Sequence, residues 1–295
     1  MIEDPRGSID YDESGSGPTI VLVPGSCSTG AAWRPVIARW ENRFHCVTTS
    51  LLGYGGTAER RSSLDSSIAQ ETDILEMVIR RAGRPVHLVG HSFGGLCALT
   101  VALRKSVPLL SLTILEAPVM ELLPRMGEHE HYRAFQDMTD AYFDAYRFGQ
   151  RDAIARMIDF YGGAGTFAAW PERVRSYAEE TTGVNVLDWA SAYGFPLTPD
   201  ALSTVEVPTL VLWGGESHPA MQRANALLAQ SIPKALEKVI AGAAHFMIST
   251  HPGETAHAIA GHVAWADGAA ASAQPAHWAR VWQIGRFPAV SAGKG

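Results

Sequence analysis

Apolar and polar positions along this chain switch between two spacings. Thr19 to Val23, Phe44 to Thr49, Pro85 to Val89, Leu110 to Glu116, Thr209 to Trp213 and Leu236 to Ile240 are short apolar runs bounded by Gly, Pro or polar residues, the signature of strands. Between them the spacing becomes helical. Ile68, Ile74, Leu75, Val78 and Ile79 line one face of a helix opened by Ser66 or Ser67 and closed by Gly83. Ala31 to Trp40, Leu96 to Leu103, Ala220 to Ser231 and Pro252 to about Ala266 read as further helices. Ser8 to Glu13 and Thr19 to Val23 predict a hairpin across the turn Ser14-Gly15-Ser16-Gly17-Pro18. Strands separated by helices predict an α/β fold, a mostly parallel central sheet with helices on both faces.

The rhythm breaks between Pro118 and Val205, where helical patterns continue without a clear strand. That is too long for a plain crossover and suits an inserted helical cap. The predicted organisation is therefore a core from residues 1–118 and 206–266, with the cap at 119–205. Aromatic and methionine residues are frequent in the cap, among them Phe135, Tyr142, Met157, Tyr161, Trp170 and Trp189. Most should form its own core, and the remainder should wall an apolar pocket over the sheet. Residues 267–295 start as an Ala/Gly/Ser linker and end in a tail with Trp278 and Trp282 at helical spacing beside Arg280 and Arg286. Three readings of that tail stay open: docking on the body, contact with a second subunit of a homodimer, or an appended disordered segment.

Composition narrows the classes. The chain has 295 residues, 46% of them hydrophobic, enough for one large core. A net charge of −6 supplies no basic footprint, so nucleic acid is not expected as a partner. The three cysteines, Cys27, Cys46 and Cys97, cannot all pair, lack metal-ligand spacing and sit in or beside apolar runs, which predicts buried reduced thiols in a cytoplasmic protein. The amino terminus lacks the pattern of a secretion signal, and no run approaches the ~20 apolar residues that span a bilayer, so no membrane partner is expected.

Chemistry concentrates where the strand Pro85 to Val89 runs into Gly90-His91-Ser92-Phe93-Gly94-Gly95, with a helix directly behind. A Gly-x-Ser-x-Gly turn between strand and helix is a nucleophile elbow. The serine adopts a strained backbone conformation, and glycines flank it because side chains would clash where the two elements pass. Ser92 should stand at the carboxyl end of a strand, above a helix amino terminus whose dipole and free N–H groups favour developing negative charge. A serine nucleophile needs a base. Among the eleven histidines, His245 follows the last predicted strand, where a loop can bring its imidazole over the strand ends. His251, His257 and His262 read as helix-surface residues, and His91 is expected to point away from the serine.

With these residues the chain resembles the α/β-hydrolase superfamily over about residues 8 to 265, as a capped esterase or lactonase. Val23-Pro24-Gly25-Ser26 stands where that superfamily often has His-Gly-x, with Pro24 in place of the histidine. The resemblance implies an oxyanion hole built from the backbone N–H groups of Ser26 and Phe93. Ser50-Leu51-Leu52-Gly53-Tyr54-Gly55 resembles the Asp-x-x-Gly-x-Gly loop, with Ser50 replacing the acid. The resemblance also places a catalytic Asp where this chain has Ser217, and a hydroxyl cannot stabilise an imidazolium as a carboxylate does. Two carboxylates could substitute. Glu116 ends the strand after the elbow helix, a position from which some lactonases and haloalkane dehalogenases supply their acid, and Glu216 needs only a turn shorter by one residue. Glu116 is preferred, because a charge closing an apolar strand is costly without a partner.

The implied function is a serine hydrolase cleaving a small to medium apolar ester or lactone through an acyl-enzyme, with the small-molecule substrate as partner and no cofactor or metal. A carbon-carbon bond hydrolase or hydroxynitrile lyase would use the same serine and histidine. A non-catalytic ligand-binding member is the remaining alternative, since fold does not determine function.

Overall fold

A computed structural model of the chain describes residues 1–83 and 85–273. The predicted tail from residue 274 onward therefore lies outside the described residues. Seven strands form one sheet: β1 (Asp12–Ser14), β2 (Thr19–Val23), β3 (His45–Thr48), β4 (Val86–His91), β5 (Leu109–Leu115), β6 (Thr209–Gly214) and β7 (Leu236–Ile240), in the order β1-β3-β2-β4-β5-β6-β7. All neighbouring pairs are parallel except β1 with β3. Every residue of β2, β4 and β6 is buried, which is why these strands read as unbroken apolar runs and not as alternation.

The sheet has a core on each face. Val21, Val23, Leu88, Leu112 and Ile114 point to one side, where they meet α1 (Ala69–Ala82), α2 (Phe93–Arg104) and α7 (Pro219–Ser231). Ile20, Leu22, Val89, Leu115 and Leu212 point to the other, against Trp33, Trp40 and the Ile259 and Val263 face of α8 (Pro252–Ala273). Successive residues facing opposite ways is the two-residue repeat of a strand. Between β5 and β6 the described residues form helices only, chiefly α3 (His129–Arg147), α4 (Ala155–Gly162), α5 (Glu172–Glu180) and α6 (Thr182–Tyr193). No helix of the described residues is long and apolar enough to cross a membrane.

Two local expectations are corrected. The hairpin between Ser8 to Glu13 and Thr19 to Val23 does not form, because β3 lies between β1 and β2 and pairs with both, Asp12 opposite Thr48 and Thr19 opposite His45. The glycine-rich connection instead passes over the start of β3: a Cβ on Gly15 would stand 2.2 Å from the Phe44 carbonyl oxygen. The helix expected from Ala31 to Trp40 is broken into a 3-10 turn at Gly30–Trp33, one α turn at Arg34–Ile37 and a second 3-10 turn at Ala38–Trp40.

Candidate active site

The elbow forms where β4 turns into α2. Ser92 has φ 55° and ψ −129°, and its N–H donates to the Leu115 carbonyl at 2.8 Å, tying the strained turn to β5. The flanking glycines are required by close approach. A Cβ on Gly90 would lie 2.3 Å from the Gly94 carbonyl oxygen, and one on Gly94 2.1 Å from that of Pro24. No larger residue fits either place.

Three side chains meet at the strand ends. The Ser92 hydroxyl lies 2.9 Å from Nε2 of His245, which is carried by the loop after β7. His245 Nδ1 lies 2.6 Å from Oε2 of Glu116. A proton on Nδ1, donated to the carboxylate, leaves Nε2 free to accept from the serine. Glu116 directly follows β5 with φ 47°, fully buried. Its other oxygen accepts the Gly214 N–H at 2.7 Å and the Ser217 hydroxyl. Ser217, at the place where the sequence suggested a missing aspartate, is thus a hydrogen-bond donor to the glutamate.

Glu216, the other candidate acid, is not brought to the site. Its side chain is exposed and makes no bond to His245, while its N–H donates to the Ala243 carbonyl at 2.8 Å. The turn after β6 spends its backbone holding the loop that carries His245, which leaves the Glu216 side chain facing outward. His91 also differs from expectation. Its ring packs 4.8 Å from that of His245, and its Nε2 donates to the His245 carbonyl at 2.8 Å, because the loop folds back over the end of β4. Burial, with His245 beside it, lowers the His91 pKa to about 3, so its ring stays neutral. Tyr161 of α4 also stacks on the His245 ring, with ring centroids 4.2 Å apart.

The expected oxyanion donors flank Ser92. Ser26 lies in the turn after β2, where a Cβ on Gly25 would stand 2.8 Å from the Cβ of Ser92, and Phe93 opens α2. Among the described residues neither N–H has a hydrogen-bond acceptor. A cavity of about 400 Å³ opens above Ser92, His245, Ser26 and Phe93. Met157, Ile158, Tyr161, Trp170, Val174 and Trp189 line it, all from the segment between β5 and β6, whereas Phe135 and Tyr142 belong to the core. Asn185, Asp188, Trp189 and Ala192 form one face of α6 toward the cavity. Asn185 accepts from the Tyr142 hydroxyl at 2.9 Å, and its amide nitrogen has no partner among the described residues.

One functional neighbour was missed in the sequence. The Asp188 carboxylate accepts from the Ser26 hydroxyl at 2.6 Å, the Tyr54 hydroxyl at 2.6 Å and Arg61 at 2.7 Å. Arg61 also pairs with Glu59 at 2.8 Å and Glu71 at 3.4 Å. Burial pushes Glu71 up to about 8, although Arg61 pulls the other way. Asp188 is the single charged residue of α6, and a lone charge in an otherwise apolar helical run was the readable signal. All three cysteines are free and buried, and burial raises the thiol of Cys27, beside Ser26, to about 12. That keeps it un-ionised.

These features, an elbow serine at a parallel strand end under a helical roof, define the class. The chain belongs to the alpha/beta hydrolase family, whose profile matches residues 20–258. Among curated relatives it is similar to (E)-2-((N-methylformamido)methylene)succinate hydrolase of Acinetobacter baylyi, 23% identical over 82% of this chain and 89% of that one. A shorter match, 33% identical over 32% of this chain and 35% of the relative, is to the pimeloyl-[acyl-carrier protein] methyl ester esterase of Vibrio vulnificus. Among solved structures it is similar in fold to Est816, described as an N-acyl homoserine lactone degrading enzyme. That match has a TM-score of 0.68 and 21% identity, covering 88% of this chain and 98% of the other.

Proposed function

We propose that this protein is a serine hydrolase that cleaves a small to medium, mostly apolar carboxylic ester or lactone. The reading rests chiefly on the continuous relay from Ser92 through His245 to Glu116 at the floor of an apolar cavity. His245 accepts the Ser92 proton as the serine oxygen attacks the acyl carbon, and Glu116 stabilises the imidazolium that results. The Ser26 and Phe93 N–H groups hold the oxyanion, each worth on the order of 3 kcal/mol in the transition state. His245 then protonates the departing alkoxide and activates the water that releases the acid. The segment 119–205 acts as the cap, and its aromatic wall selects acyl size.

Among the described residues the cavity lining includes no lysine or arginine, which favours an uncharged substrate over a dicarboxylate. The open amide of Asn185 supplies one hydrogen bond for a polar group along an otherwise apolar ligand. Three buried free cysteines fit a reducing compartment such as the cytoplasm. The test is a short-chain p-nitrophenyl ester. A burst of p-nitrophenol and labelling of Ser92 by a phosphonate are expected, both lost in Ser92→Ala. Absence of turnover across ester, lactone and thioester panels, with no labelling, overturns the reading.

A further inference from the structure

We infer that Asp188 is a positioning residue for the oxyanion hole, acting through the Ser26 hydroxyl; the inference rests on the hydrolase reading above. The Ser26 side chain makes one hydrogen bond among the described residues, the 2.6 Å donation to Asp188, while its N–H is left for the oxyanion. The next residue, Cys27, has φ 56°, a left-handed conformation that a non-glycine residue keeps only where its surroundings impose it. Ser26 therefore sits in a turn whose own backbone does not favour the observed geometry. The bond to Asp188 supplies the restraint. Asp188 is itself immobilised, since it also accepts from Tyr54 at 2.6 Å and Arg61 at 2.7 Å, and only 2% of it is exposed.

An oxyanion donor works only when preorganised at hydrogen-bond distance from where charge develops, so a tether that fixes the Ser26 turn raises kcat and not substrate binding. Asp188 belongs to α6, which also lines the cavity. The roof that selects the substrate and the donor that stabilises the transition state are thereby joined through one carboxylate. A plain structural tie between roof and body would need only the Arg61 pair. The Ser26 bond adds a direct line to the chemistry.

The experiment compares Ser26→Ala, which leaves the N–H in place, with Asp188→Asn, the double variant and Ser26→Thr. A boronic acid, whose tetrahedral adduct uses the oxyanion hole, serves as probe beside ester turnover. Ser26→Ala and Asp188→Asn are each expected to lower kcat roughly 10- to 100-fold, less than outright loss of a donor, with KM within about twofold and boronate affinity reduced in parallel. The double variant should be no worse than Asp188→Asn alone, and Ser26→Thr should restore most of the rate. If Asp188→Asn fails to fold, Ser26→Ala and Ser26→Thr still decide. A Ser26→Ala enzyme with kcat and boronate affinity unchanged, beside an active wild type, overturns the tether alone. A wild type that neither turns over esters nor is labelled at Ser92 removes the tether together with the hydrolase reading.

Discussion

Glu116 and Asp188 are both carboxylates sealed from solvent, at 0% and 2% exposure, yet they belong to different halves of the site. Glu116 sits at a strand end, and its donors come from the strand ends: the Gly214 N–H, the Ser217 hydroxyl and the His245 ring. Asp188 sits on a roof helix and gathers donors from two loops of the body, Ser26 after β2 and Tyr54 and Arg61 after β3. Burying a carboxylate is costly unless hydrogen bonds and a cation compensate it, and both sites meet that demand. They meet it differently. Among the described residues Glu116 has no arginine or lysine partner, so its compensation is completed when the imidazole gains a proton, whereas Asp188 already faces a permanent cation. The strand-end carboxylate is arranged for a charge that comes and goes, and the roof carboxylate for one that stays.

The largest effect should come from the strand-end half. Glu116→Gln is expected to lower kcat about 10⁴-fold, equivalent to ~5.5 kcal/mol of transition-state stabilisation, with the fold intact, while Glu216→Gln leaves steady-state rates unchanged. Near-full turnover in Glu116→Gln would erase the contrast between the two carboxylates.

The roof half should answer in stability. Arg61→Met leaves Asp188, Glu71 and Glu59 without their cation and is expected to reduce the unfolding free energy by about 3–5 kcal/mol in urea titrations. A loss under about 1 kcal/mol would mean that the hydroxyl donors suffice and the cation is incidental.

The smallest effect, in pH dependence, carries opposite signs in the two halves. His91 has a pKa near 3 in the fold against 6.5 ordinarily, so the unfolded chain binds the proton first and stability falls as pH drops from 6.5 toward 3. Glu71 is raised to about 8 from 4.5, so its contribution is present below 4.5 and is lost as pH rises through 8. Thermal melting between pH 4 and 9 should therefore flatten on the acid side in His91→Gln and on the alkaline side in Glu71→Gln. Identical curves for wild type and variants would refute the assignment.

What could be read from the sequence divides along the same line. The alternation of strands and helices, the elbow at Ser92 and the late histidine were legible because each depends on local spacing. The choice between Glu116 and Glu216 was legible only as a preference, drawn from the cost of a charge closing an apolar strand, since both follow strands that end beside the same loop; the positive φ at 116 was not readable. Asp188 and Ser26 are 162 positions apart, and no local pattern announces a bond across that separation. The failed hairpin has a related cause. The Ser14 to Pro18 turn carries every local sign of a tight reversal, but tertiary pairing placed β3 in the gap.

That interposed strand has a consequence for how the molecule can assemble and how it avoids self-association. β1 cannot zip onto its sequence neighbour; its partner is β3, so its place on the sheet depends on closing the chain between Ser14 and His45. Once there, its three exposed residues, Asp12, Glu13 and Ser14, cover the flank of β3 and present acidic groups to solvent in place of apolar strand. A short, negatively charged border of this kind discourages another chain from extending the sheet by edge-to-edge pairing.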